Sequence, residues 1–326
     1  MKLPHRRQFL HLAAGAAALP VLSRIARAQT YPSRPVHWIV GYTPGGGNDT
    51  FARLMGQWLQ ERLGQPFVIE NRPGAGSNIA TEAVVNARPD GYTILLANFA
   101  NASNASLYAN LKFNFIRDIA PVAGIVRVPN IMLVNQSLPV KTIPEFIAYA
   151  KANPSKISMA SAGIGSTGHL AGELMKMTAG IDFVHVPYRG NAPAITDLLS
   201  GQVQIVFASL PSSIEYVRAG KARGLAVTTA MRAATAPDLP GIAEFVAGYE
   251  VSSWYGIGAP RNTPADVVDT LNEAVNAGLA DPKLKKQLED QGGIEMAGTP
   301  ADFGKLIADE TEKWAKVIKF AGIKPQ

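Results

Sequence analysis

One unit recurs along this chain: a short apolar run, a loop of glycines and small polar residues, then a stretch of helical periodicity. It constrains the fold more than any other feature, because strands alternating with helices at this spacing form βαβ units and mainly parallel sheets. His37-Trp38-Ile39-Val40 reads as a strand, followed by a glycine loop. Phe51, Leu54, Met55, Trp58 and Leu59 then recur at i, i+3, i+4, i+7 and i+8, the spacing of one helix face. Phe67 to Ile69 predicts a strand, 71–77 a loop, 78–87 a helix and Tyr92 to Leu96 a strand. The pattern returns later: Lys156 to Ala160 as strand, 161–166 as loop, 167–178 as helix, Phe183 to Val186 as strand, 192–200 as helix and Val203 to Phe207 as strand. Pro264 opens a helix where its missing N–H is harmless. The last helix carries Phe303, Leu306, Ile307, Trp314, Val317 and Ile318.

Two segments read as crossings between domains. One is the extended run Val122 to Val134, interrupted by Pro129; the other is Thr228 to Val251, rich in Ala, Pro and Gly. With both as crossings, residues 128–251 form one lobe, and 29–127 pairs with 252–326 to form the other. Two strands linking two α/β lobes is the hinge plan of periplasmic binding proteins. The competing arrangement is a single large doubly wound sheet.

The N-terminus reads as an export signal. Arg6-Arg7 precedes an apolar stretch from Phe9 to Leu22, and Ala26-Arg27-Ala28 before Gln29 is a small-x-small cleavage site. The stretch is shorter than the roughly 20 residues a bilayer span needs. Arg6-Arg7 with Phe9-Leu10 behind it resembles a twin-arginine signal. Residues 1–28 are therefore excluded from the fold, and the rest is expected in the periplasm. The chain's net charge is +6; Lys2, Arg6, Arg7, Arg24 and Arg27 contribute five of these with no acid among residues 1–28, leaving +1. That balance gives no basic patch for nucleic acid or an anionic membrane surface. With no cysteine there are no disulfides, thiolate nucleophiles or Cys-based metal sites, and five histidines show no paired metal spacing.

The recurring loops carry the chemistry. The first is Tyr42-Thr43-Pro44-Gly45-Gly46-Gly47-Asn48-Asp49-Thr50, the second Asn71-Arg72-Pro73-Gly74-Ala75-Gly76-Ser77-Asn78, the third Ser161-Ala162-Gly163-Ile164-Gly165-Ser166-Thr167-Gly168-His169. Glycines let backbone N–H groups approach a ligand, and the helix start behind each loop adds free N–H groups and a favourable dipole. Each thus reads as an anion site that needs no cationic side chain, the alternative being a plain tight βα turn. None continues into Gly-Lys-Ser/Thr, and Gly45-Gly46-Gly47 lacks dinucleotide-loop spacing, so no phosphate cofactor is expected.

Each remaining candidate has a structural and a functional reading. His169, one turn into its helix, serves as a donor to ligand or as part of the helix start. His37 and His185 read as strand residues. Tyr188, Gly190 and Asn191 lie in a post-strand turn, with Arg189 facing either the cleft or solvent. Ser209 and Ser212 flank Pro211 and read as a helix cap first. Arg72 pairs with a substrate carboxylate or with Glu70. Asn98, at the end of the third strand, completes the candidate set. No Gly-x-Ser-x-Gly elbow is present: Ser166 in Gly165-Ser166-Thr167-Gly168 falls one residue short.

Together these motifs resemble the solute receptors of tripartite tricarboxylate transporters, the Bug receptors, over nearly all of the chain after the signal. The resemblance rests on Pro44 to Arg53, Asn71-Arg72-Pro73-Gly74-Ala75-Gly76, Gly165 to Leu174, Val186-Pro187-Tyr188-Arg189-Gly190, Asp197 to Val203 and Gly322-Ile323-Lys324. Ser77 stands where many such receptors carry a further glycine. The resemblance implies a two-lobed, type II-like Venus-flytrap fold, no catalytic activity and no cofactor. It implies a monomer that delivers a small organic acid to transporter membrane subunits, held largely by loop amides and waters. The ligand-contacting set is then Tyr42, Pro44, Gly45, Gly46, Asn48, Asp49, Ser77, Asn78, Asn98, Gly165, Ser166, Thr167, His169, Tyr188, Gly190, Asn191 and Ser209. Alternatives are the ligand-binding subunit of a sensory system and an exported hydrolase.

Overall fold

The computed structural model describes residues 31–325 apart from Ser155; the expected export signal and its cleavage site lie outside the described residues. Strands β1 (Val36–Val40), β2 (Phe67–Asn71) and β3 (Thr93–Asn98) alternate with helices α1 (Gly47–Leu63), α2 (Asn78–Val85) and α3 (Phe99–Leu107). A short helix α4 (Phe115–Asp118) leads into the long strand β4 (Ile119–Val134). Then follow α5 (Ile143–Ala152), β5 (Ser158–Ser161), α6 (Thr167–Ala179), β6 (Val184–Pro187), α7 (Asn191–Ser200), β7 (Ile205–Ser209), α8 (Leu210–Arg218) and β8 (Arg223–Val227). The chain returns through β9 (Ser252–Pro260) and closes with α9 (Ala265–Ala280), α10 (Pro282–Asp290), β10 (Ile294–Glu295) and α11 (Pro300–Phe320).

The strands run in the order β2-β1-β3-β9-β4-β7-β5-β6, with β8 and β10 also paired to β4. β1 is parallel to β2 and β3, and β5 is parallel to β6 and β7, as the βαβ units require. The returning strands are antiparallel: β9 to β3 and β4, and β7 and β8 to β4. This makes a two-lobed α/β protein whose lobes share β4. Ile119 to Pro129 pair with β9, and Asn130 to Val134 pair with β7. Thr228, fully buried, ties the change-over: its hydroxyl lies 2.7 Å from the Val251 carbonyl and accepts from the Asn130 N–H at 2.9 Å.

Each lobe has its own apolar core. Trp38, Met55, Leu59, Ile94 and Leu271 pack in one; Ile131, Leu133, Leu198 and Val206 in the other. A third cluster joins them through α11, where Trp314 meets Phe99 edge-on at 5.0 Å alongside Leu170 and Phe183. Boundaries differ from the periodicity where a polar bond intervenes. β7 starts at Ile205 rather than Val203, because the Gln202 and Val203 N–H groups still bond to the Asp197 carbonyl at the end of α7.

Candidate functional site

The three glycine loops lie at the carboxyl ends of β1, β2 and β5, where open α/β sheets present ligands. In the first, Asp49 turns back onto its own loop. It accepts the Gly45 N–H at 3.0 Å, the Arg53 guanidinium at 2.9 Å and the Asn71 amide at 3.0 Å. Asn71 also donates to the Tyr42 carbonyl at 2.9 Å. The Arg53 hydrogen bond, with those from Gly45 and Asn71, lowers the Asp49 pKa below its ordinary value. Asp49 is thus an anchor of the loop.

The second loop is the most strained segment. Gly74, Ala75, Gly76 and Ser77 have φ of 133°, 47°, 61° and 78°, four consecutive residues in the region that favours glycine. For Ala75 and Ser77 such a conformation costs of order 1–3 kcal/mol each. The segment is held by a buried polar network from α3. Asn104 donates to the Gly76 carbonyl at 2.7 Å and to Asn78 Oδ1 at 2.8 Å. Asn101 donates to Thr81, whose hydroxyl bonds the Ser77 carbonyl. Asn98 caps α3 through the Ala100 N–H. Asn48 Oδ1 and Asn78 Nδ2 are buried without a protein partner among the described residues.

The third loop repeats the device of the first. His169, buried, accepts the Gly165 N–H on Nδ1 at 3.0 Å, and Ser166 caps α6 by accepting the His169 N–H. His185 stacks on His169 at 3.8 Å between ring centroids and bonds Ser161 at 2.7 Å. Burial pushes the His169 pKa down to about 3 and that of His185 down to about 4. Both rings are therefore neutral at pH 7. Thr167 meets Ser253 of β9 at 2.9 Å.

The helix starts behind the loops differ in their caps: α6, behind the third loop, carries the Ser166 cap, whereas α1 and α2, behind the first two, carry none. No side chain caps α1, α2, α7 or α8, whose N-cap residues are Gly46, Ser77, Gly190 and Ser209. Helices α3, α4, α5, α6, α10 and α11 are all side-chain capped, and α9, entered through Pro264, is the other exception. The first N–H groups of an uncapped helix are free for a ligand.

A cavity of about 190 Å³ lies between the lobes. Tyr42, Gly76, Asn104, Leu107 and Tyr108 line one side. Ile164, Gly165 and Ser166 line the other, and no lining residue is Lys or Arg. A larger cavity of about 400 Å³ lies beside β4 and β10. In its wall Arg127 lies 3.4 Å from Glu250, and no residue of the three glycine loops lines it. Residues of all three glycine loops, Tyr42, Gly76 and Ile164 to Ser166, line the smaller cavity, which favours it as the ligand site.

Of the expected residues, Tyr42, Gly165 and Ser166 line this cavity. Pro44, Gly45 and Gly46 form the exposed rim of the first loop. The Tyr188 hydroxyl is committed to Asp197 at 2.6 Å, which raises its pKa to about 12. Asn191 reaches Ser212, linking the starts of α7 and α8. Arg72 pairs with Glu70 at 2.7 Å. Sequence reasoning missed Asn101, Asn104, Leu107, Tyr108 and Ile164; the spacing Asn98-x-x-Asn101-x-x-Asn104 was the available signal for the first two.

Two α/β lobes whose glycine loops reach a shared cavity lined by neither Lys nor Arg have the form of a solute-binding protein. The family described as tripartite tricarboxylate transporter family receptor matches residues 51–323. Protein BugT of Bordetella pertussis is 34% identical over 320 residues, covering 97% of this chain and 96% of BugT. Among solved structures, R. palustris Rpa4515 with adipate is 40% identical, with TM-score 0.77, covering 91% of this chain and 100% of that one. MatC (Rpa3494) from Rhodopseudomonas palustris with bound malate is 30% identical, with TM-score 0.73, covering 88% and 100%. The chain belongs to the tripartite tricarboxylate transporter receptor family, and is a solute-binding receptor of the Bug type rather than an enzyme.

Proposed function

We propose that this receptor captures a small organic carboxylate between its lobes, in the periplasm, and delivers it to the membrane subunits of a tripartite tricarboxylate-type transporter. The observation that carries this is that all three glycine loops reach one cavity without Lys or Arg in its lining, through Tyr42, Gly76 and Ile164 to Ser166. Backbone N–H groups and helix dipoles suit a carboxylate. Hydrogen bonds to a charged group contribute roughly 1.5–3 kcal/mol each, so a few reach micromolar affinity, about −8.2 kcal/mol. The adipate and malate bound by Rpa4515 and MatC support the ligand class. Among the described residues no helix is long and apolar enough to cross a membrane.

The lobes are residues 29–127 with 252–326, and residues 128–251. The change-over of β4 from β9 to β7 between Pro129 and Asn130, with the Thr228 tie beside it, lies within two residues of these limits. Ligand closes them by hinge motion. A thermal-shift screen of carboxylic acids tests the function. A ligand at 100 times its dissociation constant adds about 2.7 kcal/mol of stability; no stabilisation by any acid of the screen contradicts the reading.

A further inference from the structure

Two phenols in the wall of the cavity between the lobes have no internal partner. Tyr42 opens the first glycine loop and Tyr108 follows α3; both are half-buried and both line the cavity. Neither hydroxyl is hydrogen-bonded among the described residues. Tyrosines elsewhere engage theirs within the fold: Tyr31 with the Gly91 carbonyl at 2.7 Å, Tyr188 with Asp197 at 2.6 Å and Tyr249 with the Ala171 carbonyl at 2.9 Å. Tyr255, close to Tyr42, is hydrogen-bonded to Ser253. Burial, with Tyr255 and Tyr108 nearby, raises the Tyr42 pKa above its ordinary value, so this phenol keeps its proton and stays a donor. The Tyr108 hydroxyl lies against the second loop, 3.2 Å from where a Cβ on Gly76 would be. On the opposite lobe the Ser166 hydroxyl accepts the His169 N–H, which leaves its own proton free. Other donors at the cavity are engaged. The Asn104 amide reaches Gly76 and Asn78, the Gly165 N–H reaches His169, and the Ser166 N–H reaches the Gly163 carbonyl. No Asp or Glu lines the cavity to take up the three hydroxyl protons.

We infer that Tyr42 and Tyr108 determine specificity: their hydroxyls donate to a second acceptor group on the ligand, apart from the carboxylate held at the loops, and so select diacids over monoacids of the same length. This deepens the carboxylate reading and rests on it. A second carboxylate has two oxygens and about four lone-pair sites, enough to accept from both phenols with Ser166 donating from the other lobe. A methyl group in the same place strips water from the hydroxyls and gives them no partner. A site whose polar groups are left unpaired in this way rejects the analogue that lacks the matching group.

The test is calorimetric titration with two matched pairs, succinate against butanoate and adipate against hexanoate. Wild type is compared with Tyr42→Phe, Tyr108→Phe and the double variant. Each change keeps the ring and removes no hydrogen bond within the protein, so the urea midpoint should stay where it is. The expected result is that wild type prefers the diacid of at least one pair by about tenfold or more, about 1.4 kcal/mol. That preference should narrow in each single variant and shrink to about threefold or less in the double variant. Equal or tighter binding of the monoacids by wild type overturns the inference, as does an unchanged preference in the double variant. A lowered urea midpoint in the double variant also counts against it, because the hydroxyls would then support the fold. Binding of none of the four acids, when another acid of the screen does bind, overturns this inference and leaves the carboxylate reading standing; stabilisation by no acid of the screen removes both.

Discussion

The N–H of Gly165 donates to Nδ1 of His169 four residues on, at 3.0 Å, and this contact sets the state of the ring. Nδ1 must be the acceptor, so the proton of the neutral imidazole sits on Nε2. Asp49 holds Gly45 at the same separation in the other lobe. Each lobe thus spends a side chain one turn into a helix on fixing the glycine loop before it.

Replacing His169 with Phe keeps a ring in the stack but removes the acceptor. The orphaned Gly165 N–H is expected to cost about 1–3 kcal/mol, read as a lower midpoint in urea unfolding. An unchanged midpoint would show that the bond does not support the loop.

The same pair gives a pH dependence with a definite sign. Burial depresses the pKa of His169 to about 3 and that of His185 to about 4, against an unfolded value near 6.5. The unfolded chain therefore binds more protons between those values. The stability contributed by the neutral rings is complete above about pH 6.5 and is lost as pH falls toward 4 and then 3. Urea midpoints at pH 7, 5.5 and 4.5 should fall more steeply in wild type than in His185→Gln. Equal slopes would contradict the assignment.

Gly41 and Ser77 are coupled sterically. A Cβ on Gly41 would lie 1.9 Å from Ser77 Oγ and 2.7 Å from its Cα. Gly41→Ala should therefore destabilise by about 2 kcal/mol or more, in the range of core overpacking. Ser77→Gly removes the nearer obstacle and the left-handed strain, so in that background Gly41→Ala should cost measurably less. A double-mutant cycle reads the coupling; additive effects would mean the loop shifts freely.

How far the sequence disclosed this depends on the kind of signal. The loop–helix units announced themselves through glycine spacing and the apolar stripes of α1 and α11. α3 did not, because Phe99 to Leu107 buries Asn101, Ser103 and Asn104, a polar face that hydrophobic periodicity cannot register. Ser77 was recognisable as standing where a glycine is usual, and its φ of 78° gives the reason. The roles of Asp49 and His169 were hidden for another cause. Both types suit a ligand site, and only coordinates show their side chains turned back onto the loop. Ile164 escaped because an apolar residue inside a glycine loop carries no motif.

Export is tested at the N-terminus. Protein recovered from the periplasm should begin near Gln29, after Ala26-Arg27-Ala28. N-terminal sequencing reads this directly, and an intact Met1 there would defeat the claim. Replacing Arg6-Arg7 with Lys-Lys should block export by the twin-arginine route.

The central claim is that loop amides, not guanidinium groups, hold the ligand's charge. A Cβ on Gly46 would meet nothing nearer than the Thr43 carbonyl at 4.0 Å, so Gly46→Val fits the protein but crowds a bound anion. Arg72 is occupied by Glu70, and Arg189 is exposed. Calorimetric titration of Gly46→Val, Arg72→Ala and Arg189→Ala with the acid found by screening decides the matter. The account predicts that Gly46→Val abolishes binding while each arginine variant loses less than tenfold, about 1.4 kcal/mol. A loss of a hundredfold or more in either arginine variant, with Gly46→Val binding normally, would show that the site is a guanidinium clamp.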